Sequence, residues 1–208
     1  MATKQETFEW VEANNVANEI RSKLEPYCER IRVVGSLRRQ CETVHDIDIV
    51  LCEAPGFTLS LPLILQNYLG SDWIAVKGKS KLISGTYGGI PVDLYFATPE
   101  TWWTLVVIRT GSAQHNIKLC QRAKSLGMKL HADGSGIEDA IGRSIPISEE
   151  QLFKWLDLPY LEPKDRRGLD LPLTGTLDNP DSKGDTVTLR EEGQGRRNAL
   201  HGFGAAGR

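Results

Sequence analysis

Three aspartates emerge from apolar segments that have the pattern of β-strands. Asp46 and Asp48 stand two residues apart in a segment that alternates acid with isoleucine, and Asp93 lies between Val92 and Leu94. Residues at i and i+2 of a strand point to the same face, so the first two carboxylates are expected to lie close together. Like charges repel at that distance unless a cation lies between them. Three carboxylates on neighbouring strands predict a site for hard, oxygen-preferring ions such as Mg²⁺, while a structural hydrogen bond or ion pair is the alternative for each aspartate alone.

A glycine–serine turn precedes the acidic strand. A short apolar strand, residues 31–34, runs into Gly35 and Ser36, and Arg38 and Arg39 follow. Glycine lets backbone N–H groups approach a phosphate, a helix N-terminus adds a favourable dipole, and serine adds a hydroxyl donor. Arginines can pair with phosphate oxygens. The turn alone is a weak signal, but its spacing to the paired aspartates strengthens it, because a triphosphate cradle and a metal site must be neighbours.

These two elements together resemble the signature of the polymerase-beta-like nucleotidyltransferase superfamily. Further segments narrow the resemblance to the family X DNA polymerases. They are the lysines of residues 77–81, the Val-Asp-Leu of residues 92–94, the Thr-Gly-Ser of residues 110–112 with Asn116, and the Leu-Glu-Pro-Lys-Asp-Arg of residues 161–166. The resemblance covers residues 6–167, the palm and thumb regions of the family.

The resemblance assigns roles to individual residues. It implies a site for two Mg²⁺ ions, with Mn²⁺ as a substitute, formed by Asp46, Asp48 and Asp93, the last of which also helps to activate the primer 3′-hydroxyl. The residues implied to border the incoming nucleotide are Gly35, Ser36, Arg39, Thr110, Gly111, Ser112 and Asn116. The residues implied to contact DNA are Lys77, Lys81, Lys118, Arg122 and Lys124. For the last three, a merely solvated helix face is the alternative.

The activity that the resemblance implies is templated DNA synthesis. A DNA-directed DNA polymerase of this type adds dNMP from a dNTP to a primer 3′-hydroxyl and fills short gaps in DNA repair. The implied partners are a gapped or primer-template duplex and dNTP, with the chain acting as a monomer inside the cell, in the cytoplasm or on the nucleoid. Two alternatives remain: a superfamily enzyme that adds untemplated nucleotides or modifies a substrate other than DNA, and a non-catalytic DNA-binding relative.

Several positions depart from the family pattern. Fewer than ten residues precede the first predicted helix, where most members carry helix-hairpin-helix motifs, so we expect no lyase activity and a weak hold on the downstream duplex. Ile108 and Arg109 stand where two aromatic residues often check the sugar, which predicts weak exclusion of ribonucleotides. Ala113 and Cys120 replace an acidic residue and an arginine, which predicts modest fidelity.

The predicted fold class is α+β, a polymerase-beta-like palm with a mixed sheet flanked by helices and a small α/β thumb. We predict helices at residues 7–24, 59–69, 100–108, 113–126 and 149–156, strands at 31–34 and 46–51, and a β-meander over 73–96. The expected divisions are a palm at 1–99, a thumb at 100–168 and a disordered tail at 169–208, where apolar periodicity disappears. Trp102 and Trp103 are expected in the core, and His115 on a helix surface.

Bulk composition excludes several classes of protein. The chain has 208 residues, which suffice for one substantial core with or without a small satellite domain. A net charge of -2 argues against a protein that coats nucleic acid indiscriminately, although basic residues cluster locally. The sequence contains neither a signal-peptide pattern nor the roughly 18 consecutive apolar residues of a membrane span. Its four cysteines form no C-x-x-C pair, so reduced thiols are expected rather than a zinc site.

Overall fold

A five-stranded mixed sheet forms the framework of the protein. The computed structural model describes residues 6–56, 74–75 and 82–167, with the backbone alone at 74–75. The strands of the described residues are β1 (Phe8–Glu9), β2 (Cys28–Val33), β3 (Thr43–Val44), β4 (Ile47–Glu53), β5 (Ile74–Ala75), β6 (Leu82–Tyr87), β7 (Ile90–Ala97), β8 (Lys129–Leu130), β9 (Ile137–Glu138) and β10 (Arg143–Ser144). The main sheet has the order β2-β4-β7-β6-β5, in which β4 and β7 are parallel and the other neighbours antiparallel.

Helices flank this sheet. They are α1 (Trp10–Leu24), α2 (Gly35–Arg38), α3 (Trp102–Thr110), α4 (Ala113–Ser125) and α5 (Glu149–Trp155), with 3₁₀ turns at Glu25–Tyr27 and Pro163–Asp165. Strands β8, β9 and β10 form a separate small antiparallel sheet. A mixed sheet with helices on both faces confirms the predicted α+β class. Among the described residues, no helix combines the length and apolarity that crossing a bilayer requires.

The two faces of the sheet bury different sets of side chains. On one face, Ile49 and Leu94 belong to a core that includes the buried stripe of α1. On the other face, Val50 and Tyr95 pack with Trp102 of α3, as the sequence predicted for that tryptophan. Burying each large aliphatic side chain stabilises the fold by about 1.5–3 kcal/mol. The strands are thus fixed from both sides, and the face each side chain occupies follows from strict alternation along the strand.

A second core lies beyond the main sheet. It joins the end of α3 to α4, α5 and the small sheet through Ile108, Leu119, Leu130, Ile137 and Phe153. The C-terminal part of the described chain is therefore held together by its own apolar contacts. The four cysteines of the chain are free thiols in the structure.

The N-terminal helix begins later than predicted. It starts at Trp10 rather than at residue 7, because Phe8 pairs with Val44 in a two-stranded ribbon. Val11, an apolar residue of this segment, is 64% exposed. The buried stripe consists instead of Ala13, Ala17, Ile20 and Leu24. Small alanines let the helix approach the sheet closely, which a search for large apolar residues overlooks.

Some predictions fall on residues that the structure does not describe. They are the helix at 59–69, Lys77 and Lys81, and the tail at 169–208. These predictions lie outside the described residues. The predicted division between palm and thumb at residue 99 likewise stays a prediction.

Candidate active site

The three predicted acids meet on one face of the sheet. Strands β4 and β7 run parallel with Asp48 directly opposite Asp93, and Asp46 immediately precedes β4. One carboxylate oxygen from each of the three lies within 4.8 Å of the others. Ligand oxygens about 2.1 Å from one Mg²⁺ lie about 3–4 Å apart, so small side-chain movements bring the three oxygens into range of a shared ion. The donor set, three carboxylates and no sulfur or imidazole, suits a hard divalent cation.

The sheet presents these carboxylates at the end of a face that is otherwise apolar. Asp48 is 7% exposed and lies on the same side of β4 as Val50, which α3 covers. Ile47 and Ile49 point to the opposite face and pack beneath α1. Low exposure strengthens the mutual repulsion of the carboxylates, because less water screens them. The arrangement therefore favours a cation at this edge.

Both oxygens of Asp93 accept hydrogen bonds from hydroxyl groups. Ser84 Oγ donates to Oδ1 at 2.6 Å, and Tyr95 Oη donates to Oδ2 at 3.0 Å. Ser84 is the register partner of Asp93 on β6, and Tyr95 lies two residues along β7. All three side chains therefore share one face of the sheet.

The glycine–serine turn touches the acidic strand directly. The backbone N–H of Val34 donates to the carbonyl of Asp48 at 2.8 Å, and Gly35 follows with a φ of +64°. A Cβ on Gly35 would lie only 2.1 Å from Asp48 Oδ2. The position thus demands glycine for two reasons, a left-handed backbone and the absence of room for a side chain. The hydroxyl of Ser36 is buried and has no hydrogen-bond partner among the described residues.

The arginines after this turn connect it to the Thr-Gly-Ser segment. Arg38 Nη1 donates to Thr110 Oγ1 at 2.8 Å, and Arg39 Nη1 donates to the Thr110 carbonyl at 2.7 Å. Residues some 70 positions apart in the chain are thereby joined. The one-turn helix α2 and the C-terminal end of α3 form one polar corner beside the carboxylates.

Thr110, Gly111 and Ser112 form the junction between α3 and α4. Ser112 caps α4 by accepting the N–H of His115 at 3.1 Å, which satisfies a free donor of the first turn. An added Cβ on Gly111 would meet both His115 and Asn116 at 2.7 Å. Asn116 Nδ2 donates to the Ile108 carbonyl at 2.7 Å, and its Oδ1 is buried. In this structure the Asn116 amide therefore braces the junction.

The prediction that His115 lies on a helix surface is wrong. Its side chain is 1% exposed and lies against the ring of Phe153. Burial, followed by the positive charge of Arg166 and Arg39, lowers the pKa of His115 to about 4, so the imidazole is neutral at pH 7. The residue lies on the inner side of α4, where Leu119 one turn later is also buried.

A buried ion cluster, which sequence reasoning did not identify, lies behind the turn. Glu149, at the start of α5, is 3% exposed and faces three guanidinium groups. Arg38 Nη2 lies 2.6 Å and Arg32 Nη1 3.3 Å from Glu149 Oε1, and Arg166 Nη2 lies 2.7 Å from Oε2. Three arginines against one carboxylate leave two positive charges in excess within this group. The cluster thus places net positive charge next to the glycine–serine turn.

Arg166 is the deepest member of this cluster. Its side chain is fully buried, with the guanidinium 5.0 Å from the centroid of Phe153 and Nε donating to the Leu161 carbonyl at 3.0 Å. A sequence signal for it existed, since Arg166 ends the Leu-Glu-Pro-Lys-Asp-Arg segment. Glu149 gave no such signal, because an acid in the first turn of a helix is usually a solvated, dipole-favoured residue.

Comparison with known proteins agrees with this geometry. A family model described as DNA polymerase beta thumb matches residues 105–167. The DNA polymerase/3′-5′ exonuclease PolX of Bacillus subtilis (strain 168) is 31% identical over 162 residues, which are 74% of this chain and 27% of that protein. This chain is similar to the family X DNA polymerases. It spans about a quarter of the length of that curated relative.

The fold of this family X polymerase-like protein also matches a solved structure. The polymerase beta of Leishmania infantum, crystallised as a ternary P/T complex, superimposes with a TM-score of 0.63 at 20% identity, over 77% of each chain. This likeness supports the palm and thumb architecture. The comparisons therefore confirm the family resemblance and the fold that the sequence predicted.

The predicted DNA-contact residues of the family X polymerase-like protein occupy different environments. Arg122 Nε donates to the Leu156 carbonyl at 2.9 Å and its Nη2 pairs with Asp157 at 2.7 Å, so this guanidinium ties α4 to the end of α5. Lys124 is exposed and Lys118 is half-buried on the same helix. Lys77 and Lys81 lie outside the described residues.

Proposed function

We propose that this family X polymerase-like protein is a Mg²⁺-dependent DNA polymerase that adds dNMP to a primer 3′-hydroxyl. The observation that carries the proposal is the meeting of three carboxylates within 4.8 Å beside a positive-φ glycine turn. Oxygen donors of this kind fit Mg²⁺, and Mn²⁺ can replace it. The substrates would be dNTP and a gapped or primer-template duplex, with short-gap filling in DNA repair as the role.

Asp46, Asp48 and Asp93 would hold two divalent ions. Bound there, the ions supply charge stabilisation at the attacking and leaving oxygens of an in-line displacement. Asp93, whose orientation two hydroxyl groups fix, would help to activate the primer 3′-hydroxyl. The protein's contribution is mainly positioning, as expected for transfer to phosphorus, which needs little covalent help.

The glycine–serine turn would hold the triphosphate. Gly35 lets the backbone approach closely, the buried Ser36 hydroxyl has no partner among the described residues, and Arg39 supplies charge. The two excess positive charges of the Glu149 cluster lie directly behind this turn. Thr110, Gly111 and Ser112 would border the nucleotide, because the arginines of the turn hydrogen-bond to Thr110.

Extension of a primer across a one-nucleotide gap tests the proposal. With Mg²⁺, the protein should add the matched nucleotide faster than the three mismatched ones. Asp93→Asn should lower the rate by more than roughly 100-fold, since it removes a charged ligand from the shared site. The matched control is Asp139→Asn, because Asp139 is exposed and its Oδ1 only accepts backbone N–H groups, which an amide oxygen can also do.

Other outcomes would favour other functions. Addition of all four nucleotides at similar rates would indicate an untemplated nucleotidyltransferase. Duplex binding without extension in either Mg²⁺ or Mn²⁺ would indicate a non-catalytic DNA-binding relative. Equal extension by Asp93→Asn and the unaltered protein would refute the metal-site assignment. Light scattering of the active fraction would test the proposed monomer.

A further inference from the structure

The Asp93 carboxylate accepts hydrogen bonds from two neutral donors, one on its own strand β7 and one on the neighbouring strand β6. The hydroxyls of Ser84 and Tyr95 reach one oxygen each, at 2.6 Å and 3.0 Å. A carboxylate oxygen offers about two lone-pair directions, so a single hydroxyl donor does not by itself exhaust either oxygen. Hydroxyl donors are neutral, so these two hydrogen bonds orient the acid without cancelling its charge.

Tyr95 is itself rigidly held. Its side chain is 4% exposed and packs in the cluster formed with Trp102, Leu105 and Val106. The guanidinium of Arg109 lies 4.1 Å from the centroid of the Tyr95 ring. A cation at this distance over an aromatic face is a favourable contact. Arg109 stands where the family often has an aromatic residue before Thr-Gly-Ser. Its guanidinium therefore helps to hold the ring of Tyr95, whose hydroxyl in turn orients Asp93.

We propose that Ser84 and Tyr95 are positioning residues that hold Asp93 in the orientation in which it shares a divalent ion with Asp46 and Asp48, and that Arg109 acts through Tyr95. This inference rests on the proposed metal site. It adds to that proposal three residues that act through Asp93 rather than as metal ligands. Partners that orient a metal ligand in this way typically contribute 10–100-fold to metal affinity or activity.

The test measures Mn²⁺ binding to the full chain without DNA or nucleotide, by electron paramagnetic resonance of the free ion. Tyr95→Phe and Ser84→Ala should each weaken Mn²⁺ binding by about tenfold and lower kcat for gap filling to a similar extent, with KM for dNTP unchanged. Ser84→Thr, which keeps the hydroxyl, should restore both values to within about twofold of the unaltered protein.

Tyr87→Phe is the matched control. Tyr87 lies on the same hairpin, but its hydroxyl contacts Lys23 and Glu19, away from the carboxylates. Its removal should alter neither Mn²⁺ binding nor kcat. Circular dichroism melts of every variant would show whether each is folded at the assay temperature, and Ser84→Thr provides an independent check should Tyr95→Phe unfold.

Arg109 is tested by a double-mutant cycle. Arg109→Met alone should weaken Mn²⁺ binding, whereas in the Tyr95→Phe background it should have no further effect, because the hydroxyl that it helps to place is already gone. Additive effects would overturn the role assigned to Arg109.

The inference and the proposed function can fail separately. If the unaltered protein binds Mn²⁺ and extends primers while Tyr95→Phe and Ser84→Ala do the same within twofold, the positioning role is refuted and the polymerase proposal stands. If the unaltered protein neither binds Mn²⁺ nor extends primers, both are refuted.

Discussion

Replacing Glu149 by glutamine should be among the most destabilising single changes in this protein. The carboxylate is 3% exposed and is the shared partner of Arg32, Arg38 and Arg166. Glutamine has nearly the same shape, but it removes the negative charge and turns an amide donor toward guanidinium donors. Removing one partner of a buried ion pair leaves uncompensated charge and destabilises by about 3–5 kcal/mol. Here fully buried Arg166 loses its counter-charge, so the upper half of that range is expected.

Urea unfolding followed by circular dichroism measures the loss in the free energy of unfolding. In a thermal melt of a chain of this size, a loss of 3–5 kcal/mol corresponds to a fall of roughly 6–20 °C in the midpoint. The control is Glu150→Gln, the next residue of the same helix, which is exposed and should leave the midpoint nearly unchanged. A loss below about 1 kcal/mol for Glu149→Gln would mean that the three arginines are satisfied without the carboxylate, and the buried-cluster reasoning would be refuted.

The pH dependence of the same variant provides a second check. Burial by itself raises the pKa of Glu149, but the hydrogen bond from Arg38 and the charges of Arg166 and Arg38 outweigh it, so the pKa lies below its ordinary value of 4.5. A carboxyl with a lowered folded pKa stabilises the protein above its unfolded pKa, and this contribution is lost as the pH falls through the folded pKa. The difference in the free energy of unfolding between the unaltered protein and Glu149→Gln should therefore be largest at pH 7 and should decrease below about pH 4.5.

Three further changes have distinct expected outcomes. Gly35→Ala should lower the primer-extension rate on the order of 100-fold, because its Cβ would displace Asp48. Gly89→Ala should leave the rate unchanged, because Gly89 also has a positive φ but open space around its Cβ. Equal rates for the two variants would refute the steric reasoning. Burial lowers the pKa of His115 from 6.5 to about 4, so the folded protein loses stability as the pH falls from 6.5 toward 4. This loss amounts to roughly 2 kcal/mol in the free energy of unfolding between pH 7 and pH 5. His115→Leu should abolish it, as measured by urea unfolding at both pH values. Arg122→Gln should lower the thermal midpoint without changing the salt dependence of DNA binding, whereas Lys124→Gln should reduce that salt slope by about one; the reverse pattern would show that Arg122 contacts phosphate.

The features that the sequence predicted well depend on local patterns. Alternation of acid and isoleucine placed Asp46 and Asp48 on one face, and the apolar neighbours of Asp93 placed it in a strand. Their meeting within 4.8 Å follows from the parallel pairing of β4 with β7, whose direction and register the sequence pattern left open. Local signals thus identified the elements, and the register between β4 and β7 completed the cluster.

The features that sequence reasoning missed depend on contacts between distant residues. Glu149 lies 111 positions from Arg38 and 117 from Arg32, so no window of sequence reveals their pairing. His115 has polar and basic neighbours in the sequence, and only the packing of α4 against Phe153 explains why it is buried. The buried face of α1 is likewise hard to recognise in the sequence, because alanines at 13 and 17, rather than larger side chains, pack in the core.

The parallel register of β4 and β7 has a consequence for how robust the acidic cluster is. These strands occupy the second and third positions of a five-stranded sheet, with hydrogen-bonded neighbours on both sides. A slip by one residue would turn Asp93 toward α1 and place Val92 or Leu94 opposite Asp48. Such a slip requires breaking the central ladder, which in most proteins opens only on global unfolding. Backbone amides around the three acids should consequently be among the last in the chain to exchange with deuterium, even under conditions that loosen the packing of α4 and α5.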